Sequence, residues 1–263
     1  DKTISIITVT LNSAQTLRNL LLSVSEQSYS YINHILVDGG STDDTTRLIQ
    51  EHEESIDYWI SEKDSGIYDA MNKGIAHAKG TYLLFLNADD SFHDSTSLET
   101  AMSMIKDDEE SLHAFSILYG GNRGWNERKP WGFTNRYYFK QGLHHQATLI
   151  PKALFKTLGT YNTGFTIVSD YEWFLKAYLK GIRVHTYPFI LSRVSDQGIS
   201  GRSNWEGLSL RLREMRDVHF SNCPNFYMHC LYHLYWSTYY PYRFMKAKLG
   251  QALQWPKKTL LIY

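Results

Sequence analysis

Thr81–Asp90 reads TYLLFLNADD: five apolar residues, Tyr82 to Leu86, run without a break and stop at Asn87-Ala88-Asp89-Asp90. An unbroken apolar run of this length is expected of a strand buried on both faces. It delivers polar groups at its C-terminal end, the edge of an open α/β sheet where ligands bind. Two carboxylates held together in a dry setting repel each other unless a cation sits between them. A hard divalent ion with oxygen ligands, magnesium or manganese, resolves that conflict. The competing reading is a surface turn, because Asn, Asp and Ser are ordinary turn residues.

Upstream of this stretch, strand and helix alternate. Ile4–Thr10 is β-branched and closes on Thr10-Leu11-Asn12; Leu17, Leu20, Leu21 and Val24 then lay one apolar stripe on a helix. A second strand, Ile32–Val37, ends in Asp38-Gly39-Gly40-Ser41-Thr42-Asp43. There Gly39 and Gly40 allow a tight turn with positive φ, and Ser41 or Thr42 is placed to cap the next helix. A third strand, Tyr58–Ile60, runs out into Asp64-Ser65-Gly66. The helix expected over Ile67–Ala78 buries Ile67, Ala70, Met71, Gly74, Ile75 and Ala78; Tyr68 and Asn72 share another face, and Asp69 and Lys73 a third. Four alternations predict an α/β fold with a doubly wound, largely parallel sheet whose four strands end in polar groups on one edge.

The second half is less regular. Phe115–Tyr119 reads as a strand, followed by a loop rich in Gly, Asn and Arg to about Trp131. His144-His145-Gln146 leads into a strand at Ala147–Ile150, Lys152–Leu158 is a short helix stopped by Gly159, and Ser169-Asp170-Tyr171-Glu172 opens another helix. After a strand over Ile182–Val194, Asp196–Arg202 reads as a flexible loop of the sort that closes over ligands. From Trp205 onward helices are expected, broken at Pro224, Pro241 and Pro256.

Bulk properties narrow the function classes. The 263 residues are 43% hydrophobic and 21% charged with zero formal net charge, so a folded core is expected and nucleic acid is not an expected partner. Cys223 and Cys230 suggest no disulfide framework and fit a reducing compartment. No charged-then-apolar signal segment opens the chain and no apolar run approaches the ~20 residues of a membrane span; because Asp1 is not a methionine, a short lead is expected before it.

The segments ISIITVTLN, ILVDGGSTDDT, SEKDSGIYDAMNKGIAHAKG, YLLFLNADD, HHQATLIPKALF and SDYEWFLKA, in that order over the first 200 residues or so, resemble the inverting glycosyltransferases of family 2. The bacterial members that build capsule, exopolysaccharide or O-antigen are the look-alikes. The resemblance implies a GT-A fold, Rossmann-like with a mostly parallel central sheet, over residues 1–203. Residues 1–95 would be the nucleotide-sugar half and 96–203 the acceptor half, with a helical C-terminal extension over 204–263. It implies that Thr10, Asn12 and Asp38 hold a nucleotide base, usually uracil, and that Asp64, Gly66, Asn72 and Lys73 contact the nucleotide. The family's Asp-x-Asp motif reads Asn87-Ala88-Asp89 here. Asp89 matches the position holding Mn2+ or Mg2+ against the diphosphate, Asn87 and Ala88 lie toward ribose, and Asp90 ligates or orients. Asp170 matches the catalytic base, although Ser169 and Asp170 also suit a helix N-cap; Glu172 is the fallback base. His145, Gln146, Ser200 and Arg202 match positions near the acceptor and diphosphate.

The function so implied is metal-dependent transfer, with inversion, of one hexose or N-acetylhexosamine from a UDP-sugar to a growing lipid-diphosphate-linked cell-surface glycan. Processive synthases of the family that the chain resembles carry a Gln-x-x-Arg-Trp motif after the base; none follows Asp170, which favours single transfer over polymerisation. A non-catalytic nucleotide-sugar-binding subunit is the alternative. A sugar-1-phosphate nucleotidyltransferase is another, disfavoured because Ile6–Leu17 holds no glycine. The aromatic, basic tail suits the inner membrane surface on its cytoplasmic side, with packing on the catalytic domain or a dimer contact as competing readings. His229 and His233 are expected to be packed histidines.

Overall fold

The computed structural model describes residues 2–105, 108–121, 124–198 and 205–253, and divides into two compact units, 1–201 and 202–263. In the first unit β1 (Ile4–Thr10), α1 (Leu17–Ser25), β2 (Ile32–Asp38), α2 (Thr45–Glu51), β3 (Tyr58–Ser61), α3 (Ile67–His77) and β4 (Tyr82–Asn87) alternate as expected. Then come β5 (Ser91–Phe92), α4 (Ser97–Met104), β6 (Leu112–Gly121), β7 (Gly124–Arg128), β8 (Thr148–Pro151), α5 (Lys152–Leu158), α6 (Ser169–Leu179) and β9 (Val184–Ser195).

The strand order is β3-β2-β1-β4-β8-β6-β9-β5, with β7 paired to β6. β3, β2, β1 and β4 run parallel; β8 is antiparallel to both β4 and β6, and β6 and β9 are parallel. The chain order reverses between β1 and β4, and such a switch point opens a crevice at the C-terminal strand ends. The register sets those ends level: Thr10 lies beside Asp38, Asp38 beside Ser61, and Val9 beside Asn87.

Tyr82 to Leu86 are all fully buried. Leu84 and Leu86 join Ile4, Ile6 and the α1 residues Leu17, Leu20, Leu21 and Val24 in one core. Phe85 points to the other face, edge-on to Phe155 and Tyr161. Each such side chain contributes roughly 1.5–3 kcal/mol of burial, so β4 is held from both sides. Helix α3 lies so close to β1 that a Cβ on Gly74 would stand 2.4 Å from an Ile7 methyl.

Several local expectations are corrected. The Gly-, Asn- and Arg-rich stretch holds β7, an exposed strand hairpinned onto β6. Only Gly40 has positive φ (85°) in the turn after β2, and Ser41 and Thr42 do not cap α2, which starts at Thr45 behind Asp44. On α3 the buried set includes Tyr68, while Ile67 is half-buried, because the phenol reaches across to α6.

The second unit contains α7 (Trp205–Ser221) and α8 (Phe226–Leu253). Pro241 lies inside α8 and does not break it. Both Pro241 and Ser237, whose carbonyl the missing N–H would have met, are exposed, so water can serve that carbonyl. His219 is buried between the helices, stacked on Tyr232 and accepting a bond from the Trp236 indole (3.0 Å). His229 and His233 are exposed rather than packed in a core, with their Nε2 atoms 3.1 Å apart. Both cysteines are free. Pro256 lies outside the described residues.

Candidate active site

The crevice is built first from two loops locked together. Asn12, in the left-handed region (φ 50°), gives its N–H to the Ser41 hydroxyl (2.7 Å) and its Oδ1 accepts from the Thr42 N–H (2.9 Å). Asp43 accepts from the Ala14 N–H and from Thr45, tying the β2 loop to the turn before α1. Asp38, fully buried, accepts through Oδ2 from the N–H groups of Gly40 and Ser41 and the hydroxyl of Ser61, and through Oδ1 from the Ser41 hydroxyl. Asn12 and Asp38 therefore shape the wall of the crevice with most of their capacity already used. Asp64 comes to the same place: it accepts the Gly66 N–H (2.9 Å), and a Cβ on Gly39 would stand 2.4 Å from its Oδ2. Gly66, at φ 131°, directly precedes α3.

Two predicted residues turn elsewhere. Asn72 is spent on Tyr161, donating to its carbonyl and accepting its N–H, so it pins α3 to the segment before α6. Lys73 pairs with Glu62 (2.7 Å) more closely than with Asp69 (3.7 Å), and Glu62 is the main reason its pKa is raised.

At the switch point lie polar atoms with unmet needs. Thr10 Oγ1 and Asn87 Oδ1 are buried without a hydrogen-bond partner, on neighbouring strands. Orphans of this kind are rare in native structures and call for a ligand or water. Next to them Asp89 is partly buried, and loss of hydration raises its pKa. Asp90 is fully enclosed; burial first, and the Asp89 charge second, push it up to about 8. The Asp90 carboxylate accepts the Asn87 N–H (3.0 Å) and the Ser195 N–H (3.2 Å) and is also met by the Gln146 side chain. It therefore braces the turn, while Asp89 is met by the Ser195 side chain and lies near Gly198, on which a Cβ would stand 3.5 Å from Asp89 Oδ2. Ala88 is buried in the same turn. No group of three or more His, Cys, Asp or Glu side chains among the described residues could hold a metal alone. The carboxylate of Asp89 fits a hard divalent ion shared with a diphosphate, whose own oxygens would complete the shell, and the unpartnered Asn87 Oδ1 is left for a ligand hydroxyl.

A second acid sits across the crevice. Asp170, in the first turn of α6, is buried; Oδ1 accepts the Tyr68 hydroxyl (3.2 Å) and Oδ2 the Gln141 amide (2.6 Å). His145 Nδ1 stands 3.5 Å from Oδ2, at the long end of contact with the carboxylate. Burial alone would raise the Asp170 pKa; His145 and Gln141 outweigh it, and the carboxyl is held below its ordinary value. Glu172 is buried and paired with Lys176 (3.1 Å), which leaves it occupied on its own helix. His145 and Gln146 are consecutive, so one short segment touches Asp170 on one side and Asp90 on the other. Ser200 and Arg202 lie outside the described residues. Tyr68, Gln141 and Ser195 join the site without any signal in the sequence, since each is recruited from a distant part of the chain.

The profile of Glycosyl transferase family 2 matches residues 5–168. The chain belongs to glycosyl transferase family 2. It is 34% identical over 224 residues to an uncharacterized glycosyltransferase of Mycobacterium tuberculosis, covering 82% of this chain and 84% of that one. It is 33% identical over 211 residues to a PGL/p-HBAD biosynthesis glycosyltransferase of the same species, covering 78% of each. Among solved structures it resembles Staphylococcus aureus TarS 1-349 in complex with UDP-GlcNAc (TM-score 0.64, 17% identity, 82% of this chain and 66% of that one). It also resembles the mannosyltransferase PcManGT of Pyrobaculum calidifontis with GDP-Man and Mn2+ (TM-score 0.64, 18% identity, 84% of this chain and 63% of that one). The chain spans 39% of the longer TarS structure. The family 2 glycosyltransferase is thus an enzyme with a GT-A fold: a curled central sheet flanked by helices, followed by C-terminal helices.

Proposed function

We propose that this glycosyltransferase moves a single hexose or N-acetylhexosamine from a UDP-sugar to a growing lipid-linked cell-surface glycan of the capsule or O-antigen kind, with inversion and with Mn2+ or Mg2+ bound. The observation that carries the reading is the pair of unpartnered polar atoms, Thr10 Oγ1 and Asn87 Oδ1, beside Asp89 at the switch point. Proteins sharing the fold have been solved with UDP-GlcNAc and with GDP-Man and Mn2+, which supports a nucleotide-sugar donor. When bound, the divalent ion supplies positive charge to the departing diphosphate.

Every other task falls to side chains. Asp38, Asn12 and Asp64 shape the base and ribose pocket; Asn87 offers an amide that both donates and accepts. Asp170 takes the proton of the attacking hydroxyl as the acceptor approaches the anomeric carbon in line, opposite the leaving diphosphate. Tyr68 and Gln141 fix that carboxylate in place, and His145 favours its anionic form. A carboxylate acceptor in the base pocket would favour uracil over cytosine, whose ring nitrogen carries no hydrogen.

The test is UDP release by the purified protein from UDP-Glc, UDP-Gal, UDP-GlcNAc and UDP-GalNAc, each with Mn2+ and with a chelator. One donor should stand out, and release should need the metal. Equal, metal-independent release from all four would remove the proposal, and no release from any with a lipid-linked acceptor present would favour a binding subunit.

A further inference from the structure

We propose that one face of α8 docks on an anionic lipid surface. Tyr227, Leu234, Tyr242, Met245 and Leu249 are 70%, 64%, 56%, 60% and 59% exposed. Leu231 and Thr238 fill the intervals, so the positions advance by four, three, four, four, three and four along the helix. The Thr238 hydroxyl is turned back onto the carbonyls of Leu234 and Tyr235 (3.1 and 3.0 Å), which leaves its methyl outward. The packed side of α8 is a different one: Met228, Tyr232 and Trp236 are buried, the latter two against His219 of α7.

Two features suit an anionic lipid surface, and the second, the charge, selects it. First, Tyr227, Thr238 and Leu249 are eleven apart, as are Leu231 and Tyr242, and Leu234 and Met245. The same positions also recur at seven (Tyr227 and Leu234; Leu231, Thr238 and Met245; Tyr242 and Leu249), and over the whole stripe the spacing averages about 3.7 residues, close to the turn of a straight helix. The stripe therefore runs nearly straight, as contact with a flat surface requires. Second, the sequence from Asn222 to Leu253 contains no Asp or Glu and carries Arg243, Lys246 and Lys248; Lys257 and Lys258 continue the trend. Lys246 and Lys248 are exposed. At helical spacing they fall on opposite sides of the stripe, where ammonium groups would meet lipid phosphates while the apolar residues enter the interface. No helix among the described residues is long and apolar enough to cross a membrane, so α8 would lie along the surface. That this face brings the enzyme to a lipid-linked acceptor rests on the function proposed above; the docking itself does not.

The experiment is co-sedimentation of the full chain with vesicles of phosphatidylglycerol and phosphatidylcholine, and with phosphatidylcholine alone, without donor or acceptor. The protein should bind the anionic vesicles and be released by salt. Leu234→Glu with Met245→Glu should cut the partition at least tenfold, and Lys246→Gln or Lys248→Gln about fivefold each on anionic vesicles only. His233→Gln, on another side of α8, should bind as the parent does. Absent binding by the parent, or unchanged binding by the stripe variants at unchanged melting temperature, would overturn the proposal. So would self-association of the parent in vesicle-free solution that the stripe variants abolish. UDP release onto a water-soluble acceptor reads the proposed function separately: it would survive failure of lipid binding, and vesicle binding would survive its failure.

Discussion

Replacing Asp170 by Asn separates a catalytic base from a residue that merely starts a helix. The carboxylate accepts Tyr68 on one oxygen and Gln141 on the other. In the variant one oxygen keeps its bond, and the new amide faces the Gln141 amide, which can flip to present its oxygen. The fold should survive with a loss of about 1–2 kcal/mol, from a weakened charge-assisted bond and a lost favourable charge in the first turn. Loss of a general base costs far more in rate, about 10²–10⁴-fold, or roughly 3–5.5 kcal/mol of barrier. The assay is donor- and acceptor-saturated UDP release beside thermal melting. The account requires kcat to fall at least a hundredfold while the KM for the donor stays within about threefold, a shift of less than ~1 kcal/mol. A variant that melts lower yet releases UDP at the parental rate would show that Asp170 is there to begin α6.

Further outcomes follow from other contacts. Gly39→Ala would put a Cβ 2.4 Å from Asp64 Oδ2; the carboxylate must move by about 1 Å to reach ordinary contact, and calorimetry should find UDP bound roughly tenfold more weakly with stability nearly unchanged. Asn72→Ala removes both bonds to Tyr161 and should cost about 2 kcal/mol in denaturant unfolding. In acid, burial holds His34 and His219 neutral, with pKa values of about 4 and about 3. Their folded values lie below the unfolded ~6.5, so stability is complete above pH 6.5 and falls as pH drops, by about 3 kcal/mol for His34 at pH 4. Protonation of His219 also removes the acceptor for the Trp236 indole, so tryptophan fluorescence followed from pH 7 to 3 should change with the unfolding; a flat signal and constant stability would contradict this.

The parallel half of the fold was legible because its strands bury both faces and stop at polar residues. Tyr82–Leu86 and the Leu17, Leu20, Leu21, Val24 stripe carry that information locally. β7 was not legible: all five of its residues are exposed, so no apolar alternation marks it, and pairing with β6 alone makes it a strand. Pro241 misled for a related reason, since a breaker on an exposed face can leave its carbonyl to water. In the site, the strand-end acids and Asp170 could be picked out by type and order. Their partners could not. Tyr68 looked like a residue of a free helix face until α6 was placed against it, and Gln141 and Ser195 reach Asp170 and Asp90 only through the folded chain.

The central claim is that Asp89, just past the end of β4, holds a divalent ion against the diphosphate of a nucleotide sugar. Calorimetric titration of UDP into the parent protein and Asp89→Asn, each with Mn2+ and with a chelator, tests it most directly. Micromolar binding that needs Mn2+ and weakens at least a hundredfold in Asp89→Asn, about 2.7 kcal/mol, is the predicted result. Equal UDP affinity in all four titrations would contradict it.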